Sequence, residues 1–180
     1  MKVTKTKLQG CVIIEPKVFQ DERGFFLETF QSKRYQEDAG INLPFVQDNY
    51  SRSCKGVLRG LHFQKDKPQG KLVRVVRGTV FDVAVDIRPD SNTYGQWEGV
   101  ILSEENKLQF WVPPGFAHGF VVLSDIADFE YKCTDYYDAG DEGSLIWNDP
   151  DINITWPDID NVLLSPKDAK APFFKDLINK

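Results

Sequence analysis

The sequence predicts a mostly β protein, an antiparallel sandwich or barrel with a few short helices, and two observations support this. In residues 80–87, the apolar side chains of Phe81, Val83, Val85 and Ile87 share one face, and Asp82 and Asp86 lie on the other. Turn residues such as Gly78 and Gly115 separate short apolar runs at fairly regular spacing. These further runs span residues 97–102, 108–112, 116–123 and 129–134. Short strands joined by tight turns are typical of antiparallel sandwiches and barrels.

Helix signals are few. The segment Ser32–Ala39, followed by Gly40, predicts one short helix. A second is predicted to begin at Ser165, with Pro166 as its first residue and Asp168 completing a capping box. No repeat or linker interrupts the chain, so residues 1–180 are expected to form a single domain.

Composition narrows the functional class. The 180 residues carry a net charge of −5, which argues against a nucleic-acid-binding protein. The N-terminus lacks the apolar block of a signal peptide, and no apolar run is long enough to span a membrane. Cys11, Cys54 and Cys133 match neither a zinc nor a disulfide pattern, so we expect free thiols in a reducing cytoplasm.

The two histidines, His62 and His118, both lie in strand-like segments beside aromatic residues. Alternation points His118 inward, and the simplest interpretation of either side chain is a core histidine with a satisfied hydrogen bond. A metal site is a second interpretation. Neither histidine has a histidine neighbour, and Gln64 stands where a His-x-His pair would need one, so the spacing suits a transition metal poorly.

Four basic residues, Arg23, Arg59, Lys71 and Arg74, lie in segments that otherwise look ordered. Singly, each is a solvated charge; together on one β surface, with aromatics between them, they would suit a diphosphate and a flat base. Arg59 and His62 have opposite strand parity. They can serve one site only if the strand bends or ends there, or if Arg59 serves a neighbouring subunit.

Two further residues have ordinary structural explanations. Tyr131 shares a strand face with Phe129 and Cys133 and is more often core than catalyst at such a position. Asp168 is explained by the capping box at Ser165. Taken singly, none of these residues decides the function.

Seven segments in order nevertheless carry a specific resemblance. They read FQDERGFF at 19–26, FVQDN at 45–49, GVLRGLH at 56–62, QGKLVR at 69–74, the run 78–88, PGFAHGF at 114–120 and LSPKD at 164–168. Together they closely resemble the dTDP-4-dehydrorhamnose 3,5-epimerase family over nearly the whole chain. The resemblance implies a cupin-like antiparallel β-barrel (jelly roll), a homodimer, a dTDP-sugar substrate and no cofactor.

The resemblance also implies residue roles. His62 would remove the α-protons of the sugar, Asp168 would orient and charge His62, Tyr131 would return a proton on the opposite face, and Lys71 would lie near the C4 oxygen. Some nucleotide contacts of the family cross the dimer, which would explain how Arg59 can bind substrate although its strand parity is opposite to that of His62. The implied substrate-binding positions are Arg23, Phe26, Glu28, Gln47, Asn49, Arg59, His118, Tyr137 (as the base-stacking aromatic), Glu142 and Lys167.

Inversion of a carbon beside a ketone requires a base and an acid of the kinds that these residues provide. The substrate has a ketone at carbon 4, so loss of a proton at carbon 3 or 5 gives an enolate without hydride transfer. The absence of a Gly-rich dinucleotide-binding fingerprint agrees with this. The base should titrate near neutrality, and imidazole does, with a pKa of about 6.5. Inversion requires an acid across the ring, and a tyrosine hydroxyl can serve.

Three alternatives remain open at this point. A related sugar-nucleotide enzyme could invert only carbon 3 or only carbon 5. A non-catalytic cupin-like binding protein is expected to have lost His62, Tyr131 or Asp168, and all three are present. A metal-dependent cupin enzyme is the third. The segment 141–160 is either a lid or an ordered outer loop.

Overall fold

Thirteen strands and two short helices organise the part of the chain that the structure describes. The computed structural model describes residues 1–177. The strands are Lys2–Lys5 (β1), Val12–Glu15 (β2), Val18–Asp21 (β3), Gly24–Leu27 (β4), Gln47–Cys54 (β5), Leu58–Gln64 (β6), Lys71–Arg77 (β7), Thr79–Asp86 (β8), Trp97–Ser103 (β9), Gln109–Val112 (β10), Phe116–Val122 (β11), Ile126–Cys133 (β12) and Glu142–Ser144 (β13). The helices are Ser32–Ala39 (α1) and Phe174–Leu177 (α2), and a single 3-10 turn spans Asp168–Lys170.

The strands form two main antiparallel sheets. One has six strands in the order β1-β2-β10-β7-β12-β5, the other has five in the order β13-β6-β11-β8-β9, and β3 and β4 form a separate hairpin. The predicted mostly β, cupin-like fold is confirmed. In residues 1–177 no ladder joins the two main sheets, so the expected barrel is an open sandwich. None of the helices in this range is long and apolar enough to cross a membrane.

The main core lies between the two sheets. It combines inward side chains of β7, β10 and β12 with those of β8, β9 and β11, among them Val73, Phe110, Phe120 and Phe129. Strand β8 alternates as predicted, but both of its faces are buried. Its Val83 and Val85 pack in a second cluster under residues 145–177, so the face that carries Asp82 points into the space between the sheets. A polar residue there must find a partner.

Helix α1 has the predicted bounds. The Gln31 side chain accepts a hydrogen bond from the backbone of Arg34 at its start, and Gly40 closes it in the left-handed conformation (φ 70°). Tyr35 is buried on its inner face, and its hydroxyl donates to Gln109 at 2.7 Å. The cap chemistry read from the sequence and the packing therefore agree.

The helix predicted to begin at Ser165 is wrong as an α-helix. Ser165 Oγ does accept the backbone N–H of Asp168 at 3.0 Å, as an N-cap would. The chain then makes only one 3-10 turn, and Ala171 is already extended. Pro172 accounts for this, because proline disfavours helical backbone at the residue before it. The Asp168 carboxylate points to another partner and does not close a capping box.

Candidate active site

A cavity of about 580 Å³ opens between the two sheets. A second cavity of about 280 Å³ adjoins it, and the two share His62, Lys71, Tyr131 and Asn49 in their walls. His62 comes from β6 of the five-stranded sheet, whereas the other three come from strands of the six-stranded sheet. A molecule bound here would therefore have His62 on one side and Tyr131 on the other.

His62 forms a close pair with Asp168. His62 Nε2 lies 2.6 Å from Asp168 Oδ1, and the Asp168 side chain is only 5% exposed. An ionised carboxylate can only accept, so Nε2 carries the hydrogen and Nδ1 keeps a lone pair. Burial lowers the pKa of His62, although the bond to Asp168 opposes this effect. The imidazole is therefore neutral and available as a base at neutral pH.

Strand β6 reaches the cavity with two residues because it carries a bulge. His62 pairs with His118 and Arg59 pairs with Phe120, so Gly60 and Leu61 stand opposite a single residue of β11. His118 and Phe120 share a face, and Arg59 and His62 consequently share one too. Of the explanations considered from the sequence for a shared site, an irregularity in the strand is therefore the one that the structure shows. Arg59 lines the cavity of its own chain, where its Nε donates to Ser53 Oγ at 3.0 Å.

Glycine permits this bulge. Gly60 has φ 107°, and a Cβ there would lie 2.7 Å from both the carbonyl oxygen of His118 and the Cα of Gly119. The two strands approach too closely for a side chain at this point, and the left-handed backbone favours glycine as well. The sequence RGLH therefore has a local geometric reason for its second residue.

Lys71 and Tyr131 face His62 from the six-stranded sheet. Lys71 begins β7 on the same face as Val73, and Tyr131 lies two residues from Phe129 on the inner face of β12. Burial lowers the pKa of Lys71 and raises the pKa of Tyr131. The phenol therefore holds its proton at neutral pH, as a general acid must.

Glu142 lines the second cavity and bonds to two side chains that are exposed at the surface. Its Oε1 lies 4.0 Å from His62 Nδ1, its Oε2 accepts from the Tyr137 hydroxyl at 2.9 Å, and it pairs closely with Lys167. Burial alone would raise the pKa of Glu142, but the hydrogen bonds from Lys167 and Tyr137 outweigh it and lower the pKa. Glu142 is thus an ionised carboxylate beside the free nitrogen of His62.

Gln47 and Asn49 project from edge strand β5. Gln47 Nε2 donates to Asn49 Oδ1 at 3.1 Å, while Gln47 Oε1 accepts the backbone N–H of Tyr137 at 2.9 Å. Asn49 Nδ2 also reaches Cys133 Sγ at 3.5 Å. These bonds place two amide side chains at the rim of the smaller cavity and hold the exposed Tyr137 segment against it.

A second buried pair was not foreseen from the sequence. His118 Nε2 lies 2.9 and 3.0 Å from the two oxygens of Asp82, and both side chains are almost fully buried. His118 also lines the larger cavity and stacks on Phe129. Two features of the sequence could have indicated this pair. Alternation points His118 inward, and Asp82 lies in an otherwise apolar strand on the face opposite to Val83 and Val85.

Three predicted site residues lie elsewhere. Arg23 and Phe26 are on the exposed β3–β4 hairpin, where Arg23 pairs with Asp21, and Phe26 is 69% exposed. Glu28 follows the hairpin and pairs with Arg34 at 2.5 Å. The structure therefore does not bring these three into the cavity of their own chain. The remaining predicted positions line the two cavities.

Arg74 does not line the cavity of His62, and the described residues contain no cluster of metal ligands. Arg74 pairs with Glu130 through a 2.7 Å bond and lies outside the cavity that contains His62. Within residues 1–177, no three side chains of His, Cys, Asp or Glu cluster in a way that could hold a metal ion. Cys11, Cys54 and Cys133 are free thiols.

The assembled groups suit proton transfer at a carbon beside a carbonyl. A neutral imidazole backed by a carboxylate is a base, a protonated phenol on the opposite wall is an acid, and the ammonium of Lys71 in the same cavity can stabilise an enolate oxygen. Arg59 and Lys167 add positive charge at the mouth for an anionic substituent.

Comparison with known proteins agrees with this chemistry. Residues 5–176 match the family model described as dTDP-4-dehydrorhamnose 3,5-epimerase. The protein of that name from Salmonella typhimurium is 57% identical over 173 residues, covering 96% of this chain and 94% of the relative. The dTDP-6-deoxy-D-glucose-3,5-epimerase of Legionella pneumophila, solved with dTDP-4-keto-L-rhamnose, has a TM-score of 0.95 and 60% identity over 97% of this chain and 93% of its own.

A more distant structure is a 3'-monoepimerase from Streptomyces bikiniensis, solved with dTDP-quinovose. It has a TM-score of 0.91 and 34% identity, and the match covers 97% of this chain and 88% of that one. The fold is thus shared by enzymes named for one inversion and for two. Given the family model and the full-length relatives, the chain belongs to the dTDP-4-dehydrorhamnose 3,5-epimerase family.

Proposed function

We propose that this enzyme inverts carbons 3 and 5 of dTDP-4-dehydro-6-deoxy-D-glucose and gives dTDP-4-dehydro-L-rhamnose, for dTDP-L-rhamnose biosynthesis. The observation that carries the proposal is the 2.6 Å His62–Asp168 pair on one sheet with Tyr131 on the facing sheet. That arrangement provides a base and an acid on opposite sides of one cavity. Inversion at carbon needs this, because the proton must leave from one face and return to the other.

In the proposed reaction, His62 Nδ1 takes the proton from the carbon beside the ketone. Asp168 stabilises the imidazolium that forms, as the carboxylate of a Ser-His-Asp triad does. Lys71 stabilises the enolate oxygen, an effect of about 3 kcal/mol in comparable sites. Tyr131 then delivers its hydroxyl proton to the opposite face of the carbon. No step needs a hydride carrier or a metal ion.

The remaining cavity residues are proposed to bind the nucleotide and sugar. Arg59 and Lys167 suit the diphosphate, and the exposed ring of Tyr137 offers a face on which a flat thymine can stack. Gln47, Asn49, His118 and Glu142 present hydrogen-bonding groups within the two cavities. Arg23, Phe26 and Glu28 complete the proposed substrate-binding set from the hairpin region.

The direct test is proton NMR of the substrate with purified, chelator-treated enzyme in heavy water. Deuterium should enter at carbons 3 and 5 while the product acquires the L-configuration. Entry at one carbon alone would instead support the single-inversion enzyme, the second candidate, which the fold shared with the 3'-monoepimerase favours. Absence of exchange with folded protein would reject both. A rate that returns only when a metal is added would reject the cofactor-free proposal.

We further propose that the enzyme is a homodimer in which the β3–β4 hairpin enters the partner's site. The hairpin exposes Phe19, Phe25 and Phe26 at 52%, 59% and 69%, and such apolar rings are usually covered by another surface. This placement would also bring Arg23 to a cavity that its own chain does not let it reach. The resemblance to a family with contacts across the dimer supports the same arrangement.

Mixing two defective variants tests the shared site. His62→Ala and Arg23→Ala proteins should each be impaired. A hybrid dimer would pair the intact core of one chain with the intact hairpin of the other, so activity should return after subunit exchange. No recovery, with exchange verified by a mass-tagged subunit, would place Arg23 in the site of its own chain or outside any site.

The proposed setting is the cytoplasm, and the proposed unit is one domain. The free thiols of Cys11, Cys54 and Cys133 support a reducing compartment. Limited proteolysis of the whole chain should release no stable fragment if residues 1–180 fold as one unit.

A further inference from the structure

The proposed double inversion leaves a proton-balance problem, and the following inference rests on that proposed function. One inversion takes a proton onto His62 and removes one from Tyr131. Before the second carbon can react, the imidazolium must lose its proton and the phenolate must regain one. The sugar lies against Nδ1 during this time, so the cavity mouth is a poor exit for the proton.

Two carboxylates flank His62, and they differ in what lies behind them. Asp168 is bonded to Nε2 and its side chain is 5% exposed, so a proton passed to it would have nowhere to go. Glu142 lies 4.0 Å from Nδ1, the nitrogen that receives the substrate proton. A gap of this size is one that a water molecule or a small side-chain movement bridges.

Behind Glu142, the contacts lead outward. Its second oxygen accepts from the hydroxyl of Tyr137, which is 55% exposed, and it pairs with Lys167, whose side chain is 53% exposed. The Glu142 side chain itself is 14% exposed. The series His62, Glu142, Tyr137 therefore runs from the reacting nitrogen to solvent.

We infer that Glu142 is the relay that discharges His62 between the two inversions while the sugar stays bound. The Nδ1–H bond of the imidazolium breaks and an O–H bond forms on Glu142 Oε1, directly or through one water. Glu142 then releases the proton to solvent beside Tyr137, and the Tyr131 phenolate takes one proton from water. One proton leaves and one enters, so the enzyme returns to its starting protonation state.

The electrostatics favour rapid release in this direction. Burial lowers the pKa of His62, which makes its imidazolium a stronger acid. The bonds from Lys167 and Tyr137 hold Glu142 ionised and ready to accept, and a weakly basic carboxylate gives its proton up quickly. Glu142 acts through His62 here, in addition to its proposed place among the substrate-binding residues.

The test counts deuterium in sugars formed early in the reaction in heavy water. Wild-type enzyme should release mainly doubly labelled sugar. Glu142→Gln should raise the ratio of singly to doubly labelled sugar at least about tenfold, because the second inversion waits for His62 to discharge. Glu105→Gln removes an exposed carboxylate distant from the cavity and should keep the wild-type ratio. Tyr137→Phe keeps the ring and the carboxylate, and should shift the ratio less in the same direction.

Chemical rescue separates a relay from a structural effect. Formate added to Glu142→Gln should lower the ratio again, since a small carboxylic acid can carry the proton. If Glu142→Gln slows both inversions by one factor and leaves the ratio unchanged, Glu142 only binds substrate and the relay is rejected. If Glu142→Gln raises the ratio but formate does not lower it again, the relay is also rejected. If the wild-type enzyme labels neither carbon, the proposed function itself fails.

Discussion

Replacing Asp168 by Asn probes the base most directly. The change keeps the size of the side chain but removes the charge 2.6 Å from His62 Nε2. A hydrogen bond to a charged group contributes about 1.5–3 kcal/mol, which corresponds to about a 10- to 150-fold loss of rate when it is missing from the imidazolium. If the Asn amide donates to Nε2, the ring is held with its hydrogen on Nδ1 and is no longer a base. The comparable exchange in a Ser-His-Asp triad lowers kcat about 10⁴-fold.

The same variant makes a prediction about pH. Burial lowers the pKa of His62, and the bond and charge of Asp168 oppose that shift. Removing the charge should lower the pKa of His62 further. The acidic limb of kcat/KM, which reports protonation of the base in the free enzyme, should therefore lie below about pH 6.5 in the wild type and at still lower pH in Asp168→Asn.

The assay is the rate of deuterium entry at carbons 3 and 5 as a function of pH, with Asp125→Asn as a matched control on an exposed loop. A nucleotide-binding measurement on both variants checks that the cavity is intact. The reasoning is refuted if Asp168→Asn keeps a rate within about threefold of wild type, or if its acidic limb moves to higher pH. Either result would mean that Asp168 does not stabilise the protonated form of His62.

Four further changes have distinct expected outcomes. His62→Ala should abolish exchange while dTDP still binds in calorimetry, and a wild-type rate would exclude His62 as the base. Tyr131→Phe should slow inversion more than proton loss, whereas an equal fall in both by NMR would give Tyr131 another role. Lys71→Ala should lower kcat more than it raises KM, since the enolate exists only after proton loss; equal changes would make Lys71 a binding group. Asp86→Asn should cost about 1–2 kcal/mol of unfolding free energy at pH 7 after allowance for screening. Burial alone would raise the pKa of Asp86, but hydrogen bonds from Arg88 and its neighbours lower it from 3.8 to about 2. The contribution of Asp86 to the free energy of unfolding should therefore be lost as the pH falls from 4 to 2. Urea titrations that show no such loss would refute this.

Much of the fold was predictable because local signals and packing agree. The period-two pattern of residues 80–87 predicted β8, and the Gly40 stop predicted the end of α1. The segment after Ser165 shows where local reasoning ends. Its cap forms, but Pro172 and the bond of Asp168 to His62 limit the chain to a single 3-10 turn. A capping motif alone does not reveal that its acidic residue bonds a distant strand.

The site was predictable in its residue types but less so in its geometry. Parity alone placed Arg59 and His62 on opposite faces, because a two-residue period cannot anticipate the extra residue at Gly60. The pair of Asp82 with His118 was also missed, since an acidic residue on one face of a strand is ordinarily solvent-facing. Burial of both faces of β8 is a property of the sandwich and not of the strand.

Placing the base and the acid on different sheets has an energetic consequence. The burial that lowers the pKa of His62 also raises the pKa of Tyr131, so one cause keeps the base neutral and the acid protonated at the same pH. The same burial would make each charged product of proton transfer costly. Asp168 offsets the cost for the imidazolium, and Lys71 lies where it can offset the cost for the enolate and the phenolate. Loss of either partner should therefore slow the reaction without changing which carbon reacts.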